Sequence, residues 1–505
     1  MRYRVKLFPE ITVKSRPVRR EMVRYLRTNI RNTLASVAPG VRVRDEWDAL
    51  EIRPRRSLDD TARETFEARL RGVAGIHEIQ IVETHDWSSF EDTAARLVPL
   101  WRETLANRRF RVSVKRRGQH DFRSETLERF LGAALLEAVP TARVDLKQPE
   151  HDVRLELHDA RVTLVTRRLP GLGGYPMGTQ GQALALISGG YDSPVAAWQM
   201  MRRGLKTHFL YFDLGGPDQE RVVRQVVDRL WRGYGASHRV DFISMPFVEV
   251  MNAIQRTAPA ALAGVVLKRM MVRAANRIAQ RHRLPALVTG DALAQVSSQS
   301  LTNLGLIDAA SERPILRPLI ASDKQTIIEQ ARRIGTAELA EGLPEVCGTI
   351  SRKPNTRPKP ERILDAEAGF DQSVLDDAIA RSSVVRSDQL LNEDVPGRED
   401  AVATASPSAT ASRDLRHDQS RDRVRVIDIR HPDERDLDPL VLPEGQPLVI
   451  PYFELGERVA TLPDDCHYLL YCAQGTMSRM QAAHLTDQGY DNIGVYLPDL
   501  PDLPD

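Results

Sequence analysis

Residues 183–194 read ALALISGGYDSP. A short apolar run of this kind suits a buried strand, and Pro194 suits the first turn of a helix. Between them, Gly189 and Gly190 let the backbone approach a ligand closely. The N–H groups of such a turn, together with the following helix N-terminus, attract an anion. A Walker A loop is excluded, because no Gly-Lys pair occurs in the chain. A dinucleotide fingerprint is excluded too, because Gly171-Leu172-Gly173 follows no recognisable strand and runs into Gly174-Tyr175-Pro176.

Working outward, the alternation continues. Strand THFLYFDL (207–214), helix 217–232, strand HRVDFISM (238–245), helix 261–282 and strand ALVTG (286–290) follow helix Val195–Arg203. This spacing predicts a parallel sheet with helices on both faces. Upstream, PGLGGYPMG (170–178) is a turn-rich boundary. Residues 1–60 read strand (Arg2–Phe8), helix (Arg19–Ala35), strand region (Val41–Arg53). Residues 61–165 repeat the texture, with helices Ala62–Arg71, Phe90–Asn107 and Thr126–Ala138, strands 77–84 and 110–116, and a closing hairpin. The expected class is therefore multidomain, mixing α/β and α+β units. Downstream, residues 396–420 hold almost no large apolar side chain and read as a flexible linker. A 25-residue coil has an r.m.s. span of roughly 25–30 Å. Beyond it, strands RVRVIDIR (423–430) and HYLLYC (467–472) and helix Met477–Gln488 restart an α/β pattern, and the LPDLPDLPD end reads as an acidic tail.

The chain has 505 residues, 28% of them charged, and a net charge of +2. That sum conceals a gradient. Residues 1–180 carry 34 Lys and Arg against 25 Asp and Glu, whereas residues 421–505 carry 7 against 16. A basic front invites a polyanion and an acidic back repels one. The densest basic cluster with an aromatic is Lys115, Arg116, Arg117, His120, Phe122 and Arg123. No apolar run approaches the ~18 residues that span a bilayer. MRYRVKLFPE lacks an apolar core, so no secretory leader is expected. Three cysteines cannot staple a chain this long, and none forms a C-x-x-C pair, so a reducing cytoplasm is expected. Cys472 ends an apolar strand and opens the loop AQGTMS before a helix, where N–H groups favour a thiolate. Cys347 lies in the turn-prone LPEVCGT, and Cys466 follows two aspartates and reads as structural.

SGGYDS (188–193) resembles the pyrophosphate loop of ATP-pyrophosphatases. The segments LFPEITVKS (7–15), VKRRGQHDF (114–122), PGLGGYPMGTQ (170–180), GVVLKRMMVRAA (264–275), LVTGDALAQVSSQ (287–299), ILRPLIASDK (315–324), PEVCGTIS (344–351) and LLYCAQGTMSR (469–479) resemble, in order, the tRNA uracil 4-sulfurtransferase (4-thiouridine synthetase) family. The resemblance implies a ferredoxin-like N-terminal domain (1–60) and an RNA-binding THUMP domain (61–165). It also implies a doubly wound parallel-sheet ATP-pyrophosphatase (PP-loop) domain (175–395), the linker, and a rhodanese-like α/β domain (421–505). By the same resemblance ATP would meet Leu186, Ile187, Ser188, Gly189, Gly190, Asp192, Ser193, Lys268, Gly290, Gln299 and Lys324. Asp192 would act near the pyrophosphate and its Mg²⁺, and Arg269 and Arg273 stand beside Lys268. Lys115, Arg116, Arg117, His120 and Arg123 would hold tRNA.

The resemblance further makes Cys472 a persulfide carrier and Cys347 its redox partner. A cysteine desulfurase would be the sulfur donor, uridine 8 the target, and a homodimer the assembly. A second role, passing sulfur to the carrier protein of thiamine thiazole synthesis, is implied as well. Three departures stand out. The rhodanese-type loop carries Gln474 and Met477 and reaches arginine only at Arg479; Asp291 replaces a glutamate and Tyr191 a phenylalanine. Two other readings explain less: a nitrogen-ligating ATP-pyrophosphatase leaves Cys472 and the basic front idle, and a non-catalytic sulfur relay leaves SGGYDS idle.

Overall fold

The computed structural model describes residues 2–46, 49–214, 216–341, 353–391, 424–430, 432–443, 445–473 and 475–497. Cys347, Gln474, the 396–420 linker and the chain end from 498 lie outside them. Contacts divide the chain into two units, one built mainly from residues 1–180 and the other mainly from residues 181–505.

The first unit is built on an eight-stranded sheet. Its strands are β1 (Arg2–Leu7), β2 (Arg42–Glu46), β3 (Ala49–Arg53), β4 (Ile76–Asp86), β5 (Arg109–Arg117), β6 (Arg143–Val144), β7 (His151–His158) and β8 (Arg161–Pro170). Their order is β2-β3-β1-β4-β8-β7-β5-β6. Alternation in RYRVKL turns Tyr3, Val5 and Leu7 inward. The helices are α1 (Pro9–Thr12), α2 (Arg16–Leu34), α3 (Asp60–Arg71), α4 (Phe90–Trp101) and α5 (Ser124–Ala138). Asp59 and Ser89 cap α3 and α4 by accepting from the Ala62 and Asp92 N–H groups.

Two apolar cores line this sheet. Tyr3, Leu26, Ile30, Phe66 and Ile79 belong to one, and Leu97, Phe110, Leu131 and Leu155 to the other. The β1–β4 pairing joins residues 1–60 to the strands beyond them in one continuous sheet. The predicted strand over 41–53 is a hairpin, and the helix predicted to reach Asn107 stops at Trp101, soon after Pro99.

The second unit holds β9 (Gln182–Ile187), β10 (Lys206–Asp213), β11 (Asp241–Pro246), β12 (Leu287–Val288), β13 (Ile315–Leu316) and β14 (Ser383–Arg386). The order is β13-β12-β9-β10-β11-β14. Six consecutive residues of β10 are buried, as expected of a strand covered on both faces. The all-parallel expectation needs one correction: β14 runs antiparallel to β11. This short edge strand buries a single residue, and antiparallel edges are common on otherwise parallel sheets. Helices α6 (Asp192–Arg202), α7 (Gly216–Leu230), α8 (Val248–Thr257), α9 (Ala263–Arg281), α10 (Leu301–Asp308), α11 (Lys324–Ile334), α12 (Ala337–Ala340), α13 (Pro360–Ala368) and α14 (Gln372–Ala380) complete this part. Sequence reading assigned nothing to 248–257, where α8 lies.

At the C-terminus a four-stranded parallel sheet has the order β16-β15-β17-β18. Its strands are β15 (Val424–Asp428), β16 (Leu448–Val449), β17 (His467–Tyr471) and β18 (Ile493–Val495). Helices α15 (Pro432–Leu437), α16 (Tyr452–Val459) and α17 (Thr476–Asp487) accompany it. Among the described residues no helix is long and apolar enough to cross a membrane.

The amino end of the six-stranded sheet carries a buried histidine. His208 Nδ1 accepts from the Asp241 N–H at 3.1 Å, and its Nε2 lies 3.4 Å from Gln182 Oε1. His282 and Arg386 also face the Asp241 carboxylate. Burial pushes His208 down to about 4, against the pull of Asp241. An unfolded histidine takes up its proton near pH 6.5, whereas the folded one resists to about 4. Stability from this group is therefore complete above pH 6.5 and declines as pH falls toward 4, by up to about 3 kcal/mol. Denaturant titrations at pH 7 and pH 4.5 are expected to show a smaller loss in His208→Gln than in the parent chain.

Candidate active site and its thiol

The SGGYDSP turn lies where β9 ends and α6 begins. The chain leaves β9 toward β10 on one side, and β12 and β13 lie on the other. Ligands of open α/β sheets gather at the carboxyl ends of strands beside such a reversal. Ser188 N–H donates to Ser193 Oγ at 2.8 Å, and the two hydroxyls stand 2.9 Å apart, closing the turn. Gly290, just beyond β12, passes so close that a Cβ there would meet Ser193 N at 2.7 Å. Only glycine allows this approach.

Asp192, in the first turn of α6, is held from two sides. Lys324 Nζ lies 3.2 Å from both carboxylate oxygens, and Gln295 Nε2 donates to Oδ2 at 3.0 Å. Lys324 is the first residue of α11, whose cap Asp323 accepts from the Thr326 N–H, and its Nζ lies 5.6 Å from the Tyr191 ring centre. Leu186 and Ile187 end β9, as predicted.

Behind the turn, Asp291 is buried. Thr289 Oγ1 donates to it at 2.7 Å, Arg317 Nε at 3.2 Å and Gln299 Nε2 at 3.4 Å. Burial works against its charge. The Lys268 charge, the Thr289 hydroxyl and Arg317 outweigh that and hold it below the usual carboxylate range. Gln299 Oε1 is buried without a partner. Leu186, Ile187, Ser188, Gly189, Gly190, Asp192, Ser193, Lys268, Gly290, Gln299 and Lys324 thus all lie at or beside the carboxyl ends of β9 and β12, or on the helices that flank them.

Two neighbours of Lys268 do not join them. Arg269 and Arg273 both bond Glu367, and Arg269 is 4% exposed, so this pair fastens α9 to α13. A four-residue spacing put both on one helix face, but only packing reveals that the face points inward. Gln295, Thr289 and Arg317 escaped sequence reading, because which amide or guanidinium turns inward depends on loop path.

The groups present fit a nucleoside triphosphate: a tight turn at a helix N-terminus and a lysine suit the phosphates, and the unpartnered buried amide oxygen of Gln299 suits an N–H or O–H donor of the nucleoside. Among the described residues no cluster of three or more His, Cys, Asp or Glu could hold a metal ion alone.

In the C-terminal sheet, Cys472 follows β17 and is buried. Ser478 N–H, in the first turn of α17, donates to Sγ at 3.3 Å, and Ser478 Oγ lies 3.4 Å from it. Gly475, at φ 69°, turns the loop into α17. Nearby, buried Arg430 forks onto Asp428 and stacks 4.9 Å from the Tyr471 ring. Cys466 is half-buried, and its sulfur is 3.8 Å from Asp465 Oδ1. Cys347 lies outside the described residues.

The basic cluster surrounds aromatic rings. Arg116 sits 5.6 Å from the Phe122 ring and donates to the His120 carbonyl at 3.1 Å. His120 Nε2 is 2.9 Å from Asp159 O. Trp87 stacks on Phe122 at 5.5 Å. Lys115 and Arg123 are exposed. Arg116 and Arg117 belong to β5, which runs further than predicted.

The family model of the thiamine biosynthesis protein ThiI matches residues 178–371, and that of the THUMP domain matches 84–167. The tRNA sulfurtransferase of Marinobacter nauticus is 45% identical over 500 residues, covering 99% of this chain and 100% of that one. That of Pseudomonas putida is 43% identical over 501 residues, with the same coverage. A 4-thiouridine synthetase, solved with RNA and bound ATP, matches with a TM-score of 0.67 and 25% identity over 76% of this chain and 99% of that chain. Near-complete coverage at this identity leaves one conclusion: the chain belongs to the tRNA sulfurtransferase family.

Proposed function

We propose that this enzyme transfers persulfide sulfur to C4 of a tRNA uridine, position 8 by family, in an ATP-dependent reaction giving 4-thiouridine, AMP and pyrophosphate. The observation that carries this reading is the convergence of the SGGYDS turn, Asp192, Lys324 and the Gly290 approach at one end of the sheet. The relative solved with RNA and ATP supports it.

In this reading the turn's N–H groups and Lys324 bind the phosphates. Asp192 is oriented by Gln295 and Lys324, and Mg²⁺, when bound, would neutralise phosphate charge. The uracil O4 attacks the α-phosphorus, pyrophosphate leaves, and O4 becomes part of an AMP leaving group. The C-terminal sheet acts as a rhodanese-like domain, and the N-terminal strands as a ferredoxin-like one. A cysteine desulfurase loads Cys472 as a persulfide. Either the terminal sulfur attacks C4, expels AMP, and Cys347 then attacks the Cys472 sulfur to free the thiouridine. Or Cys347 attacks first and releases sulfide, which displaces AMP. Both routes leave a Cys347–Cys472 disulfide that a thiol reductant must open. Lys115, Arg116, Arg117, His120 and Arg123, beside the Trp87–Phe122 stack, hold tRNA through phosphates and stacking.

The reaction belongs in the cytoplasm, where thiols stay reduced. The same persulfide would serve thiamine thiazole synthesis. Mass spectrometry of tRNA from a strain lacking the gene is expected to show complete loss of 4-thiouridine; its persistence at normal level would refute the assignment.

A further inference from the structure

The helix that follows Cys472 is packed against the six-stranded part of the same unit. Helix α16 packs on α8 and α17 packs on α7, with side chains of α17 reaching α8. Three polar contacts define this seam. Gln481 Nε2 donates to Asn252 Oδ1 at 3.4 Å, His484 Nε2 lies 3.2 Å from Glu249 Oε1, and Arg256 donates to the Phe453 carbonyl at 3.3 Å. Gln481 and Asn252 are 1% and 4% exposed. Two buried amides are costly unless each meets the other, so this pair specifies a register rather than a general stickiness. Gln481 and His484, three residues apart on α17, meet Asn252 and Glu249, three residues apart on α8. Apolar residues of both parts, including Val250, Met251, Ile254, Leu455, Met477 and Met480, share one core cluster. Cys472 belongs to that cluster and is 9% exposed.

We infer that the α8 face bearing Glu249, Asn252 and Arg256 is a dock for the chain's own C-terminal domain, and that the docked arrangement parks Cys472 with its sulfur enclosed. The inference rests on reading Cys472 as the sulfur carrier. A thiol so enclosed can neither meet a protein donor nor reach a nucleotide, so loading and delivery each require release.

The test uses the full chain. Asn252→Cys combined with Gln481→Cys is expected to form an intramolecular disulfide under mild oxidation, mapped by peptide mass spectrometry. Iodoacetamide labelling of Cys472 should then slow by about tenfold relative to the reduced protein. Asn252→Asp with Gln481→Glu, which would bury two like charges, should speed that labelling by about tenfold, and Asn252→Asp with Gln481→Lys should restore the parent rate. Absence of the cross-link, or a labelling rate indifferent to it, overturns the dock. Because the cross-link does not depend on turnover, it reports on docking even if Cys472→Ala were to thiolate tRNA normally. That last result would remove the carrier role instead.

Discussion

Cys472→Ala is expected to abolish 4-thiouridine formation from cysteine and a desulfurase, by on the order of 10³-fold or more, while pyrophosphate release with ATP and tRNA continues. The split follows from the architecture. The thiol stands in the C-terminal sheet, where Ser478 N–H and Oγ lie 3.3 and 3.4 Å from its sulfur, and it contributes nothing to the SGGYDS turn. Cys472→Ser keeps the size and the hydrogen bonds but cannot carry a sulfane sulfur, so it should fail equally. A single-turnover assay with ³⁵S-cysteine separates the two steps, because label should reach neither protein position 472 nor tRNA. Full thiolation by either variant would sink the carrier role. Loss of pyrophosphate release as well would mean that the two halves are not chemically separable.

Asp192→Asn should produce the opposite split. The amide retains the shape of the side chain but loses the charge that faces Lys324 at 3.2 Å. It also presents an N–H₂ toward a phosphate site. ATP-dependent pyrophosphate release is expected to fall by about 10²–10³-fold, a scale typical of lost electrostatic organisation. Persulfide loading of Cys472 by the desulfurase should remain, as should tRNA affinity measured by filter binding. A variant that kept pyrophosphate release within about threefold of the parent rate would show that Asp192 is not part of the ATP machinery. Gln295, which donates to the same carboxylate, should have a smaller effect, since Lys324 still holds the group.

How much of this was legible without coordinates varies by residue. SGGYDSP announced its strand, turn and helix, because two glycines and a proline restrict the backbone locally. Strand alternation announced β1, and the basic surplus of residues 1–180 pointed to a polyanion. Arg269 and Arg273 were misplaced beside the phosphates, because charge and spacing cannot tell whether a helix face meets solvent or Glu367. Helix α8 went unread, though it carries the seam to the C-terminal domain. Strand β14 was invisible as an antiparallel edge, since four residues hold no direction.

The sequence by itself determined the chemistry on offer: a glycine turn before a helix, a carboxylate beside it, a basic cluster with an aromatic and a strand-end thiol. Each depends on residues adjacent in the chain, so local sterics and charge suffice. Only the tertiary structure decided which distant groups complete them. Lys324 and Gln295 lie more than a hundred residues from Asp192, yet both clasp it. Asn252 and Gln481 are 229 residues apart and share one buried hydrogen bond. Such pairings are set by the order of strands in the sheet and by the packing of helices on it, and neither is written in any local stretch of the chain.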